Sequence, residues 1–554
     1  MTQHAMICRF NVETPMRDGV ILRGDLYAPQ GQGAYPLLLW RTIFRKNTLS
    51  RAFGALDPAY FVKHGYAVFI QDVRGLGESE GEFDRFTADG ADGYDTVEWL
   101  AAQPFCNGNV GMIGNYYAGY LQLMAAAARP PHLKALCPMM TSVSINRDCD
   151  NRGFMFYSHI GWCMSRQLSR LRDGRYDKAT TETYLPMLMD YIKDYPSRQL
   201  LHRPLAQMPA VANTPFPLLK DYYRHLVEGY DDLDLIHKEG RDMDLRTVSV
   251  PAFYVSGWYD SARNPMIEHC RTQRENGTDS RVLIAPWQPG EAPARADSAL
   301  ETGEITVDIQ QEMTQWFDHW LKGQAAPAWK PFRYYDIVTR QVRESDTWEN
   351  GETGSVWYLQ HGGTLSPETP ASAGADAYVH DPSRPLSFPG YGAAGKLKPS
   401  DEGTLRYLSA PTQAPGTLNG LVKVTLYLSS DAKDADVIVR LCDVCPSGSV
   451  FVICDGATRA RYRNSWTPEP LEQGKVYQVD VLLGHVRYTV GQGRRLLLEI
   501  TGSAFPKYDV NYGTAVRPPD DTGSVISRNE IHTSGETPSR LFLPLEQENG
   551  SAGR

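Results

Sequence analysis

The chain has 554 residues, too many for one hydrophobic core, so two or three domains are expected. Apolar residues make up 42% and charged residues 22%, the balance of an ordinary globular protein, and the net charge of −9 argues against nucleic acid or an anionic membrane as a partner. No apolar run approaches the roughly 18 residues of a membrane span, and the opening MTQHAMICRFNVETPMRDG has no apolar export signal, so the cytoplasm is the expected setting.

From the N-terminus, residues 20–27, 35–40 and 66–71 read as strands, the last a short apolar run, YAVFIQ. Residues 92–103 (DGYDTVEWLAAQ) have the spacing of an amphipathic helix. VGMIG at 110–114 is another buried strand, and a helix over 119–128 is stopped by Pro130 and Pro131. Strands alternating with helices predict a mostly parallel sheet covered on both faces.

Over 141–244 the strand runs vanish and helical stretches take over: FMFYSHIGWCMSRQLSRL, TTETYLPMLMDYI and PLLKDYYRHLVE. Such an insert usually covers the ligand-binding edge of the sheet, so a lid is expected. Strand signals return at 250–255 and 282–284, and 310–321 (QQEMTQWFDHWL) reads as a closing amphipathic helix. After about residue 351, short strands between Gly, Pro, Asp and Ser predict an antiparallel sandwich.

Nine scattered cysteines, an odd number in a long chain, suit reduced thiols. Cys442 and Cys445 form a CxxC, but only Cys454 follows nearby, where zinc needs a second ligand pair. They are expected to be half-buried strand residues, with no metal and no organic cofactor. QDVRGLGESEGEF (71–83) contains G-x-G without the rest of a dinucleotide fingerprint and reads as a structural loop.

The motif that carries chemistry is VGMIG running into Asn115-Tyr116-Tyr117-Ala118-Gly119 and a helix. A strand, a sharp turn flanked by small residues and a helix form the nucleophile elbow of α/β-hydrolases. Gly114, Ala118 and Gly119 supply the space, but Tyr116 stands where a nucleophile is wanted.

Along essentially its whole length the chain resembles the bacterial cocaine esterase, X-Pro dipeptidyl-peptidase and α-amino-acid ester hydrolase family. The pieces that carry the likeness are PMRDGVILRGDLYAP, QDVRGLGESEGEF, the elbow, VSGWYD (255–260), Pro286-Trp287, WFDHWLKG (316–323), DGATRARYRNSW, GSAFPKYDVNYGT and HTSGETPSRLFLPL. The resemblance implies an α/β fold with an α/β-hydrolase sheet domain (1–140 and 245–350), an inserted helical lid (141–244) and a C-terminal jelly-roll sandwich (351–554). The family's elbow, G-x-S-Y-x-G, places its nucleophile at Tyr116 and the next tyrosine at Tyr117. Its acid, in G-W-x-D, falls on Asp260. Its histidine, in G-P-W-x-H-G, falls on Pro289 of Ala285-Pro286-Trp287-Gln288-Pro289-Gly290. Its oxyanion-hole tyrosine, in R-T-P-Y, falls on Phe44 of Arg41-Thr42-Ile43-Phe44.

Serine hydrolysis needs a hydroxyl, an imidazole to take its proton, and donors for the oxyanion. No histidine lies between His269 and His319 to replace the missing base, so acyl-enzyme chemistry is not expected at this elbow. Tyr116 then reads either as a catalytic acid or base, with Asp260, or as a plug stacked on Tyr117, Phe44, Trp258 and Trp287. Asp260 needs a partner, and Tyr116, Gln288 and Arg263 are the choices. Phe44, Tyr117, Trp258, Trp287 and Gln288 are expected to line a binding pocket, with His159 of the first lid helix as the remaining imidazole. The leading reading is an enzyme of specialised metabolism that cyclises, isomerises or eliminates on a hydrophobic small molecule. A catalytically dead binding protein and a hydrolase using other residues are the alternatives, and a homodimer is among the states the sequence allows.

Overall fold

The computed structural model describes residues 5–47, 56–83, 88–142, 154, 157–193, 201–212, 214–223, 245–286, 307–336, 339–348, 354–387 and 392–545. By its contacts the chain divides into two units. The first is Met1–Cys149, Ile236–Asp297 and Thr302–Trp348; the second is Asp150–Leu235, Ser298–Glu301 and Glu349–Arg554.

In the first unit the strands are β1 (Met6–Pro15), β2 (Ile21–Pro29), β3 (Tyr35–Thr42), β4 (Ala67–Asp72), β5 (Cys106–Asn115), β6 (Leu133–Met139), β7 (Ala252–Gly257), β8 (Ser280–Ala285), β9 (Phe332–Asp336) and β10 (Gln341–Ser345). They form one sheet in the order β1-β2-β4-β3-β5-β6-β7-β8-β9-β10. From β4 to β9 every pairing is parallel, while β1, β2 and β10 join antiparallel. That is the α/β-hydrolase sheet. Its inner strands carry the apolar stretches AVFI, AFYV and VLIA because both faces are covered: β4, β7 and β8 are buried at every position.

The helices of this unit are α1 (Pro58–Lys63), α2 (Asp89–Ala101), α3 (Tyr117–Ala127), α4 (Arg263–Glu275) and α5 (Ile309–Lys322). The start of α5 is set by Asp308, whose carboxylate accepts the Gln311 N–H at 3.1 Å, and its end by Gly323 in the left-handed conformation. Its buried residues Ile309, Met313, Trp316, Phe317 and Leu321 keep helical spacing and pack on β5 and β6.

The second unit holds the helices Tyr157–Arg172, Lys178–Lys193, Pro209–Ala212 and Pro217–Tyr223 together with strands from Ser355–Gln360 to Arg540–Leu543. The rest of the third expected helical stretch lies outside the described residues. The strands form the C-terminal jelly-roll sandwich, whose longest pairing joins Gly416–Ser430 to Tyr477–Val490. Tyr378, Tyr407, Leu426, Val439 and Leu498 sit in its core.

Two of the family-like pieces meet beside that core in a buried ion network. Arg459 binds Asp436 through two hydrogen bonds of 2.8 and 2.9 Å and Asp509 through one of 3.0 Å. Asn511 donates to Asp434 and Asp436, and Arg461 binds Asp434 at 2.6 Å. The Arg459 guanidinium also lies 4.7 Å from the ring centre of Phe154, which packs on Tyr508.

Cys442 and Cys454 are buried on paired strands, and Cys445 is half-buried at the turn between them. Burial pushes the Cys442 thiol well above its ordinary range. Among the described residues no helix is long and apolar enough to cross a membrane, and no cluster of His, Cys, Asp and Glu could hold a metal ion.

Candidate active site at the strand ends

The C-terminal end of β5 meets α3 in a turn of one residue. Tyr116 has φ 53° and ψ −121°, a conformation sparsely populated by side-chain-bearing residues that costs about 1–3 kcal/mol. The turn is held from both sides. The Tyr116 N–H donates to the Met139 carbonyl at 2.9 Å, and the Tyr116 carbonyl accepts from Gly119 and Tyr120 at 3.0 and 3.1 Å. Its tightness explains the flanking small residues: a Cβ at Gly114 would lie 2.7 Å from that of Ala118, and one at Gly119 would lie 2.7 Å from Thr141. Tyr116 itself is half-buried.

Strain recurs along this edge. Arg45 (φ 68°) and Met140 (φ 46°) also adopt left-handed φ, so three side-chain-bearing residues just beyond the neighbouring strands β3, β5 and β6 do so. Such outliers persist where the surroundings over-determine them, characteristically at ligand and catalytic sites.

Phe44 lies in the β3 turn, half-buried, with its N–H donating to Thr42 Oγ1 at 3.0 Å. Two residues on, Lys46 anchors the turn through its N–H and Nζ, which meet the Asp72 carboxylate at 2.7 and 3.1 Å.

Asp260 follows β7 in Gly257-Trp258-Tyr259-Asp260 and is 7% exposed. Burial pushes its carboxyl up to about 6, opposed by the Ala262 N–H that it accepts at 2.6 Å and by the charge of Arg263. Arg263 donates to the Trp258 carbonyl, its guanidinium 5.9 Å from that indole. Trp258 is 4% exposed, donates Nε1–H to the Tyr335 carbonyl at 2.8 Å and packs on Tyr334 and Trp348.

Tyr117 is turned into the core. Its hydroxyl donates to Asp89 at 2.6 Å and its ring packs on Phe83 and Tyr120. Asp89 opens α2 within a buried polar layer that the sequence reading missed: Arg41 donates to the Asp89 carbonyl at 2.8 Å and to Gln71 at 3.2 Å, and Arg74 binds Asp92 at 2.6 Å. The acidic start of α2, DGAD, is the signal that could have found it. Trp287, Gln288 and Pro289 lie outside the described residues. His159 belongs to the helix Tyr157–Arg172, and its side chain lies outside them too.

The chain matches the model of the X-Pro dipeptidyl-peptidase (S15 family) over residues 18–289 and that of the X-Pro dipeptidyl-peptidase C-terminal non-catalytic domain over 324–542. It is 30% identical to the cocaine esterase of Rhodococcus sp. (strain MB1 Bresler), over 97% of this chain and 98% of that protein. The chain belongs to the cocaine esterase and X-Pro dipeptidyl-peptidase family. Two solved structures share the family fold at 22% identity. An α-amino acid ester hydrolase has a TM-score of 0.79, covering 98% of this chain and 97% of its own. An aminopeptidase from a marine sediment Thaumarchaeota archaeon has a TM-score of 0.80, covering 98% and 96%. In this family frame Tyr116, Asp260 and Phe44 lie in the first matched region, and the Arg459 network lies in the region matched to the non-catalytic domain.

Proposed function

We propose that this hydrolase-fold protein is an enzyme working without a Ser–His pair, with Tyr116 transferring a proton to or from a hydrophobic small molecule and Asp260 assisting it. The family motifs put nucleophile, histidine and oxyanion tyrosine at Tyr116, Pro289 and Phe44; Pro289 cannot take a proton and Phe44 has no hydroxyl to donate, so Tyr116 stands there without the base and the phenol donor that acyl transfer uses. A phenol is protonated at neutral pH and suited to donating a proton. Cyclisation, isomerisation or elimination needs only that proton and a positioned substrate, and specialised metabolism is the natural setting.

The observation that carries this reading is the backbone at Tyr116. A residue that merely filled a dead site would gain from a relaxed turn or a glycine, yet the strained geometry is kept with a polar ring on it. Asp260 points the same way, since its burial is costly and an uncharged residue would avoid that cost. Residues that lower stability are retained where function needs them.

Intact-mass analysis after incubation with a fluorophosphonate probe tests the reading. The wild-type protein is expected to stay unmodified under conditions that label a serine esterase completely. A stoichiometric adduct mapped to Tyr116 would overturn it.

A further inference from the structure

The helix Tyr157–Arg172 buries one stripe of side chains, with Cys163, Met164, Leu168 and Leu171 at most 8% exposed. In the middle of that stripe, where helical periodicity calls for an apolar residue, stands Gln167 at 0% exposure. Neither its amide oxygen nor its amide nitrogen has a hydrogen-bond partner. The hydroxyl of Tyr176, just past the helix end, is buried and unpartnered as well. The guanidinium of Arg170, one turn beyond Gln167, lies 5.6 Å from the Tyr176 ring centre. Native proteins keep few buried polar groups unpaired, because each forfeits its hydration without return. Met or Leu at this position would fill the space without that cost.

We propose that this face of the helical segment binds a cyclic amide, a lactam or imide, through the Gln167 carboxamide. A carboxamide presents a carbonyl and an N–H side by side in one plane. The complementary edge is a cis-amide, whose own N–H and carbonyl also lie side by side. The ligand N–H donates to Gln167 Oε1, and its carbonyl accepts from Gln167 Nε2. A trans-amide, as in a peptide chain, points its two groups in opposite directions and satisfies only one, so the site discriminates against peptides. Because the unpaired atoms have no access to solvent, entry requires the helix to part from its neighbours Lys178–Lys193 and Pro217–Tyr223.

Thermal unfolding of the full chain with δ-valerolactam tests this, alongside N-methyl-δ-valerolactam, the same ring without its N–H. The lactam is expected to raise the wild-type Tm saturably, and the N-methyl ring to bind at least about tenfold more weakly. Gln167→Met is expected to melt above wild type without ligand and to gain nothing from the lactam. No stabilisation of wild type, equal binding of the two rings, or an equal response in Gln167→Met would each overturn the proposal. The comparison of the two rings uses wild type alone, so it does not depend on how a variant folds.

Discussion

Asp260→Asn is expected to raise the unfolding free energy by about 3 kcal/mol at pH 7 and by almost nothing below about pH 4. The carboxyl is raised from 3.8 to about 6 in the folded chain, chiefly by burial. Below both values it is protonated folded and unfolded, and burial costs no charge. As the pH climbs from 4 to 6 the unfolded chain ionises first, so the native state loses ground, and above about 6 the full penalty is in place. Asparagine never ionises and keeps an oxygen to accept the Ala262 N–H. Urea denaturation of both proteins between pH 3.5 and 8 measures the difference. If the variant is instead less stable at pH 7, the ionised form has a partner that outweighs its desolvation, and the assignment of Asp260 as a costly functional group fails.

The opposite effect is expected in the sandwich. Arg459→Leu should cost about 3–5 kcal/mol, because removing one side of a buried ion pair strands the other. Arg459 is 0% exposed and holds both Asp436 and Asp509, which are themselves 2% and 3% exposed. The variant also loses the guanidinium packed on Phe154. Adding Asp436→Asn and Asp509→Asn to Arg459→Leu should recover much of the loss, since no charge is then left buried alone. Denaturation midpoints at unchanged slope separate the outcomes. A loss under 1 kcal/mol in the single variant would mean the network is open to water.

The elbow was legible because its constraint is local. Gly114, Ala118 and Gly119 are the small residues that a turn with φ 53° demands, and no longer-range information is needed to see it. The closing helix was legible for the same reason, its apolar residues keeping one period over three turns. Strand β6 escaped notice because Lys134 interrupts its apolar run and Pro138 argues against a central strand. Strand β1 did so because Met6 and Phe10 are exposed on an edge, where no face imposes alternation. The role of Tyr117 was hidden by adjacency. One step along a helix turns a side chain by about 100°, enough to send Tyr117 down to Asp89. The contacts of Phe154 with Tyr508 and of Arg203 with Tyr512 join residues hundreds of positions apart, which composition and periodicity do not register.

The most direct test of Tyr116 as the proton-transferring group is the single-turnover rate of Tyr116→Phe on the small molecule that the wild-type protein converts. Phenylalanine keeps the ring and the backbone demand of the turn and removes only the hydroxyl, so far-UV circular dichroism and Tm should match wild type. The rate is expected to fall by about 10²-fold, the usual contribution of a positioned acid or base. A rate equal to wild type in Tyr116→Phe, with ligand binding lost in Tyr116→Ala, would contradict it and leave the ring as packing.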